Sequence, residues 1–118
     1  MNAQKLEQVQ KVFANDRFAT ENGVVIDEVD DGYAKCSLEI QPHHLNAGGT
    51  VMGGAIFTLA DFAFAVASNW NKPLNVSTTS QITFLEMCIR DSTGTGDCIG
   101  RCIRRRQDDP CKYCNKIF

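Results

Sequence analysis

Apolar residues recur along the chain with two different periods, on either side of one stretch that is apolar almost throughout. In residues 4–14, Leu6, Val9, Val12 and Phe13 fall on one face at helical spacing, which predicts an amphipathic helix ending near Asn15-Asp16, with Phe18 docking on the core. After Gly23 the β-branched run Val24 to Val29 predicts a strand. Asp30-Asp31-Gly32 is a turn signal in which Gly32 supplies a positive φ. From Tyr33 to Ile40 the alternation is clean: Ala34, Cys36, Leu38 and Ile40 face one way, and Tyr33, Lys35, Ser37 and Glu39 the other. A hairpin with one buried face follows, with Cys36 as a small buried hydrophobe. Residues 41–52 contain Pro42, His43, His44, Asn46, Gly48 and Gly49 and predict a loop.

The apolar stretch is Gly53 to Asn69, two glycines followed by good helix formers and no proline. A helix of that length spans about 25 Å. Apolar residues on every side require cover on every side, so the chain reads as an α+β protein with a curved antiparallel sheet wrapped round one long helix. One sheet covers only part of the circumference, and a second protomer is a natural source of the rest. After the helix, a turn containing Pro73 leads into an alternating run, Val76 to Leu85, which predicts another strand.

The chain has 118 residues, 43% apolar and 22% charged, which suits one globular domain. A net charge of −2 argues against general nucleic-acid binding. The central helix is too short for a membrane span and contains Asp61, and residues 1–16 lack the apolar core of a signal peptide, so a cytoplasmic setting is expected.

The six cysteines divide the chain. Cys36 is alone in residues 1–87, whereas Cys88, Cys98, Cys102, Cys111 and Cys114 crowd into residues 88–118 beside Arg101, Arg104, Arg105 and Arg106. Residues 1–87 therefore read as the core and residues 88–118 as an atypical tail, in which closing strands are hard to recognise. Three readings of the tail compete. One is a zinc site from Cys98, Cys102, Cys111 and Cys114, with only eight residues between the pairs. Another is a divergent pair of closing strands, residues 97–104 and 112–118, whose arginines meet phosphates. The third is a junction near Met87, where Cys88-Ile-Arg-Asp-Ser is similar to translated adapter sequence. The abrupt change of character at residue 88 favours the third.

The run His44-Leu45-Asn46-Ala47-Gly48-Gly49-Thr50-Val51-Met52-Gly53-Gly54, followed by Leu59-Ala60-Asp61, resembles the active-site segment of hotdog-fold acyl-CoA thioesterases of the PaaI-like, phenylacetic-acid-degradation group. The resemblance extends over about residues 1–86. It implies the sheet-round-helix fold, a homodimer or homotetramer, and active sites at the dimer interface. It also implies an acyl-CoA substrate and neither a cofactor nor a metal. Carried over by position, it implies that the Gly53 N–H holds the thioester carbonyl oxygen. Asn46 then orients carbonyl or water, Asp61 is the general base or nucleophile, and Ser77 positions water. Met52 and Gly54 line the substrate site. Met52 stands where many members of the group have a histidine, which removes one donor near the oxyanion.

The chemistry fits these residue types. Thioester hydrolysis builds negative charge on the carbonyl oxygen, and a helix N-terminus offers unpaired N–H groups and a partial positive charge there. Glycine lets the substrate approach the backbone. Asp61 lies two turns on, roughly 12 Å along the axis, so it is expected to work on a site completed by the partner chain. Burial among Phe57, Leu59, Phe62 and Phe64 would make it a stronger base than a solvated aspartate. Plainer readings stand beside these roles. Asp61 is then a structural acid, the glycine pair serves helix–sheet packing, Asn46 is a turn residue, and Ser77 is a strand serine. His43 and His44 read as solvated loop residues, without a third ligand at a fixed offset. For the whole chain, a non-catalytic hotdog module that binds acyl-CoA or dimerises is the alternative to the thioesterase. A hydratase of the same fold is disfavoured because no histidine follows Asp61.

Overall fold

The computed structural model describes residues 3–83 in full and the backbone of residues 95–103 and 112–117. Its elements run helix α1 (Ala3–Phe13), short helix α2 (Arg17–Glu21), strands β1 (Val24–Asp30) and β2 (Tyr33–Glu39), helix α3 (Gly53–Asn69), and strands β3 (Thr95–Ile103) and β4 (Lys112–Ile117). Among the described residues the strands form one antiparallel sheet in the order β1-β2-β3-β4. α3 crosses it against β1, β2 and β3, while α1 and α2 lie against β1.

The hairpin matches its sequence pattern. Val24, Ile26 and Val29 of β1 and Ala34, Cys36 and Leu38 of β2 are buried, and Gly32 takes φ +64° in the turn. The register slips between Ile26 and Glu28, so Asp27 sits at a bulge, and the apolar face resumes at Val29 instead of Glu28. α1 covers β1 by burying Val9 and by donating from Gln10 Nε2 to the Ile26 carbonyl at 3.0 Å.

α3 has the predicted bounds. It buries Ile56, Leu59, Ala60, Phe62, Ala63, Val66, Ala67 and Ser68, and Phe13 sets its ring edge against Phe62 with centroids 6.3 Å apart. The helix ends where the Asn69 side chain turns back. Its Nδ2 donates to the Ala65 carbonyl and its Oδ1 accepts the Asn75 N–H at 2.6 Å, while Asn71 adopts φ +54°. No helix among the described residues is long and apolar enough to cross a membrane.

Within the single chain the sheet covers one side of α3 and leaves a stripe open, on the side for which a second protomer is expected: Gly54 and Asp61 are exposed, with Phe57, Thr58, Phe64 and Ala65 half-buried along it. Three expectations need correction. Phe18 does not dock; it lies on α2, which turns Ala19 inward and leaves Phe18 71% exposed. His44 is buried. No strand forms over residues 76–83. A strand needs a neighbour to take its backbone hydrogen bonds, and β3, the next described strand, pairs with β2 instead. Residues 84 and 85 lie outside the described residues.

In the tail, β3 and β4 correspond to the divergent-strand reading at the level of backbone. The side chains of Cys98, Cys102, Cys111 and Cys114, and the suggested junction at residue 87, lie outside the described residues. Among the described residues no three of His, Cys, Asp or Glu are grouped to hold a metal.

Phe62 fills the space between α3 and α1 at 2% exposure, so Phe62→Ala is expected to lower unfolding free energy by about 3–5 kcal/mol. A urea titration reads this as a lower midpoint with unchanged slope.

Candidate active site

The loop between β2 and α3 is built to deliver one helix end. Pro42–His44 forms a single 3₁₀ turn. The His44 Nδ1 accepts the Gln41 N–H at 2.9 Å, so Nε2 carries the proton and donates to the Asn22 carbonyl at 2.7 Å. The ring thereby ties the loop to the α2–β1 connection. The His44 carbonyl accepts the Met52 N–H at 2.8 Å, and Leu45 bridges Val51. Buried histidine, not solvated histidine, sets where α3 begins.

Asn46 organises the tip of this loop. Its Oδ1 accepts the N–H groups of Gly48 (3.0 Å) and Thr50 (3.1 Å), and its Nδ2 donates to Thr50 Oγ1 at 2.9 Å. The turn closes through Gly49, at φ +81°, whose N–H donates to the Asn46 carbonyl. Three of the four side-chain hydrogen-bonding positions are thus used inside the loop, leaving one amide hydrogen of Nδ2.

α3 then starts without a side-chain cap. Met52 occupies the N-cap position at φ −61° and ψ 134°, and its carbonyl accepts the Ala55 N–H at 3.0 Å. The N–H groups of Gly53 and Gly54 have no acceptor among the described residues. Gly54 is exposed, and a Cβ there would meet only Met52 Cγ at 3.8 Å, an ordinary contact. Close helix–sheet packing is therefore not what a glycine at position 54 serves. Met52, 54% exposed, lies beside these donors.

Asp61 is on the open stripe of α3, two turns from Gly53, exposed in the single chain instead of enclosed by phenylalanines. Phe62 turns into the core and Phe57 and Phe64 are half-buried to either side. Among the described residues no cation pairs with Asp61. Asp16, at the start of α2, is close enough to feel its charge: partial burial raises the Asp16 pKa first, and the Asp61 carboxylate raises it further. Ser77 is exposed and follows Asn75, which is bonded to Ser68 and Asn69 at the far end of α3. The chain therefore brings Asn46, Met52, Gly53 and Gly54 together at one helix end, holds Asp61 at mid-helix, and leaves Ser77 near the other end. Asp16 had no sequence signal, because an Asn-Asp pair after a helix reads as a stop.

A groove of about 540 Å³ between α1 and the hairpin lies elsewhere, lined by residues including Leu6, Val29 and Tyr33 with Asp27, Glu28 and Asp30. Three acids make it unsuited to a polyphosphate.

The architecture is that of the hotdog fold. Escherichia coli PaaI, from the phenylacetic acid degradation operon, superposes with a TM-score of 0.82 at 27% identity, over 98% of this chain and 82% of that one. A Streptococcus pneumoniae thioesterase-type protein solved with coenzyme A gives a TM-score of 0.78 at 21% identity, over 92% of this chain and 82% of that one. In sequence, the chain is similar to the acyl-coenzyme A thioesterase PaaI of Escherichia coli, 31% identical over 85 residues, which are 72% of this chain and 61% of that protein. It is also similar to an Archaeoglobus fulgidus protein provisionally named an esterase, 36% identical over 88 residues, 71% of this chain and 57% of that protein. The chain spans about three fifths of the length of these curated relatives. No protein-family model matches it. Its likeness, in fold and in sequence, is thus to PaaI-type hotdog thioesterases.

His44→Ala leaves the Gln41 N–H and the Asn22 carbonyl without their partner, which is expected to lower stability by roughly 1–3 kcal/mol. Chemical denaturation measures this, and His44→Gln is expected to recover only part of it.

Proposed function

We propose that the protein hydrolyses an acyl-coenzyme A thioester to a free acid and coenzyme A, at a site completed by a second copy of the chain. The observation that carries this reading is the uncapped start of α3, where the Gly53 N–H faces outward without an acceptor. The thioester carbonyl oxygen accepts from that N–H, beside Met52 and Gly54. As Asp61 takes a proton from water, the water oxygen bonds to the carbonyl carbon and the carbonyl electron pair moves to the held oxygen. Collapse of this intermediate breaks the C–S bond, and the thiolate of coenzyme A leaves and takes up a proton. The remaining amide hydrogen of Asn46 orients the carbonyl or the attacking water. With Met52 where a histidine is usual in PaaI-type proteins, the backbone carries the oxyanion.

The second copy answers two features of the single chain. It covers the stripe of Gly54, Phe57, Thr58, Asp61, Phe64 and Ala65. It also closes the gap of roughly 12 Å between Gly53 and Asp61, which is too long for one carbonyl and its attacking water. In an antiparallel pair of α3 helices crossing at Phe57, four residues from each, Asp61 of one copy lies level with Gly53 of the other. A dimer, or a tetramer of such dimers, in the cytoplasm goes with this reading. The relatives' names and the coenzyme A complex of the Streptococcus pneumoniae protein support the substrate class.

Two substitutions test the chemistry. Asp61→Asn is expected to reduce thiol release from butyryl-, hexanoyl- and phenylacetyl-coenzyme A by at least a hundredfold. Gly53→Pro removes the N–H at the first helical position, where proline is tolerated and where the Met52 backbone already suits a following proline. It is expected to cost about 10²–10³ in kcat, with Gly53→Ala well above it. Mixing the two inactive variants is expected to restore about a quarter of the activity through hybrid dimers carrying one intact site. Background-level rates for the wild type itself, equal to those of Asp61→Asn, would leave an acyl-CoA-binding or dimerising module as the correct reading.

A further inference from the structure

Met52 stands at the N-cap position of α3 with its side chain 54% exposed. A Cβ on Gly54 would meet Met52 Cγ at 3.8 Å and Sδ at 3.9 Å, so the thioether sits against the second residue of the helix. It makes no capping hydrogen bond, as befits a weak acceptor. The Met52 backbone, at φ −61° and ψ 134°, has the extended form from which N-cap side chains accept the N–H of the second or third helical residue. In α3 the third, that of Ala55, already bonds to the Met52 carbonyl at 3.0 Å. The second, that of Gly54, has no acceptor among the described residues.

The start of the same loop shows what an oxygen at the end of a side chain of this length does. Gln41 is the N-cap of the 3₁₀ turn Pro42–His44, and its side chain accepts the His44 N–H. Glutamine carries its oxygen as many bonds from Cα as an oxidised methionine carries the oxygen on sulfur. The loop that presents Met52 is also fixed, by the bond from the Met52 N–H to the His44 carbonyl and by the Asn46 bonds at its tip. The sulfur therefore stays beside the free amides.

We propose that Met52 is a site of reversible oxidation by peroxides, and that its sulfoxide caps α3 and closes the hydrolytic site. The sulfur lone pair bonds to one peroxide oxygen and the O–O bond breaks. The second oxygen leaves as water, taking the proton of the transferred one, so sulfur loses two electrons and the peroxide gains them. The sulfoxide oxygen, a strong acceptor, takes the Gly54 N–H and fills the space in front of Gly53. It thereby excludes the thioester carbonyl, so the loss of activity rests on the hydrolase reading, whereas the capping does not. Because Met52 is exposed, the polar sulfoxide disturbs no core packing. Methionine sulfoxide reductases, with thiols as the reductant, return the thioether.

The test treats the full chain with hydrogen peroxide, reverses cysteine disulfides and sulfenates with dithiothreitol, and desalts. Sulfoxide at residue 52 is then measured by peptide mass spectrometry. Thiol release from hexanoyl-coenzyme A is expected to fall in step with that fraction, by roughly tenfold or more at full conversion. Methionine sulfoxide reductases A and B together are expected to restore it. Met52→Leu, with no sulfur to oxidise, is expected to keep its own untreated rate through the same treatment. Met52→Gln, which carries the oxygen permanently, is expected to run roughly tenfold or more below Met52→Leu. Hydrogen exchange of the Gly54 amide is a readout independent of activity. It is expected to slow by about tenfold or more in Met52→Gln and in the oxidised protein, relative to the reduced wild type. Full oxidation at residue 52 with undiminished activity overturns the inference, as does a Met52→Leu protein that loses activity as fast as the wild type. Unchanged Gly54 exchange overturns the capping. Background-level hydrolysis by the untreated wild type overturns the hydrolase reading instead, and Gly54 exchange then decides whether the sulfoxide caps α3.

Discussion

A helix that begins on two glycines with no side chain to cap it leaves backbone N–H groups facing outward, and the rest of the structure is arranged to hold that end in place. The restraint is a chain of hydrogen bonds: the Met52 N–H to the His44 carbonyl, and the His44 ring to Gln41 on one side and Asn22 on the other. Asn46 locks the tip of the same loop through three bonds. These contacts remove the freedom of a loop rich in glycine, so the donors are positioned before any ligand arrives. The apolar side of α3, from Ile56 to Ala67, anchors the helix on the sheet behind them.

The groups proposed for catalysis are spread along a helix of about 25 Å, with donors at one end and the acid at the middle. That spread is hard to reconcile with a site inside one chain and natural for a site shared by two. The open stripe of α3 has the matching character: small or half-buried apolar residues interrupted by one acid, a surface that a second helix of the same kind would cover.

Much of the fold was legible because its signals are local. Alternation over residues 33–40 and the turn at Asp31-Gly32 specify a hairpin wherever one face is buried, and the glycine pair and Asn69 bracket α3 to the residue. The failures share a cause. Residues 76–83 alternate as a strand should, but strand formation depends on a partner, and alternation says nothing about which edge is free. Phe18 and His44 were misplaced in opposite directions, since a loop phenylalanine and a loop histidine carry no period from which burial can be read. Asn46, weighed between turn residue and site residue, is seen to shape its loop, with one amide hydrogen to spare.

The sequence by itself determined the helix, the hairpin, the position of bare glycine amides at a helix start and the spacing from them to Asp61, because each follows from side-chain size and backbone freedom over a few residues. Only the tertiary structure decided that His44 is a buried tie and that one stripe of α3 stays open in the single chain. These are contacts between segments far apart in the chain, and no local period encodes them.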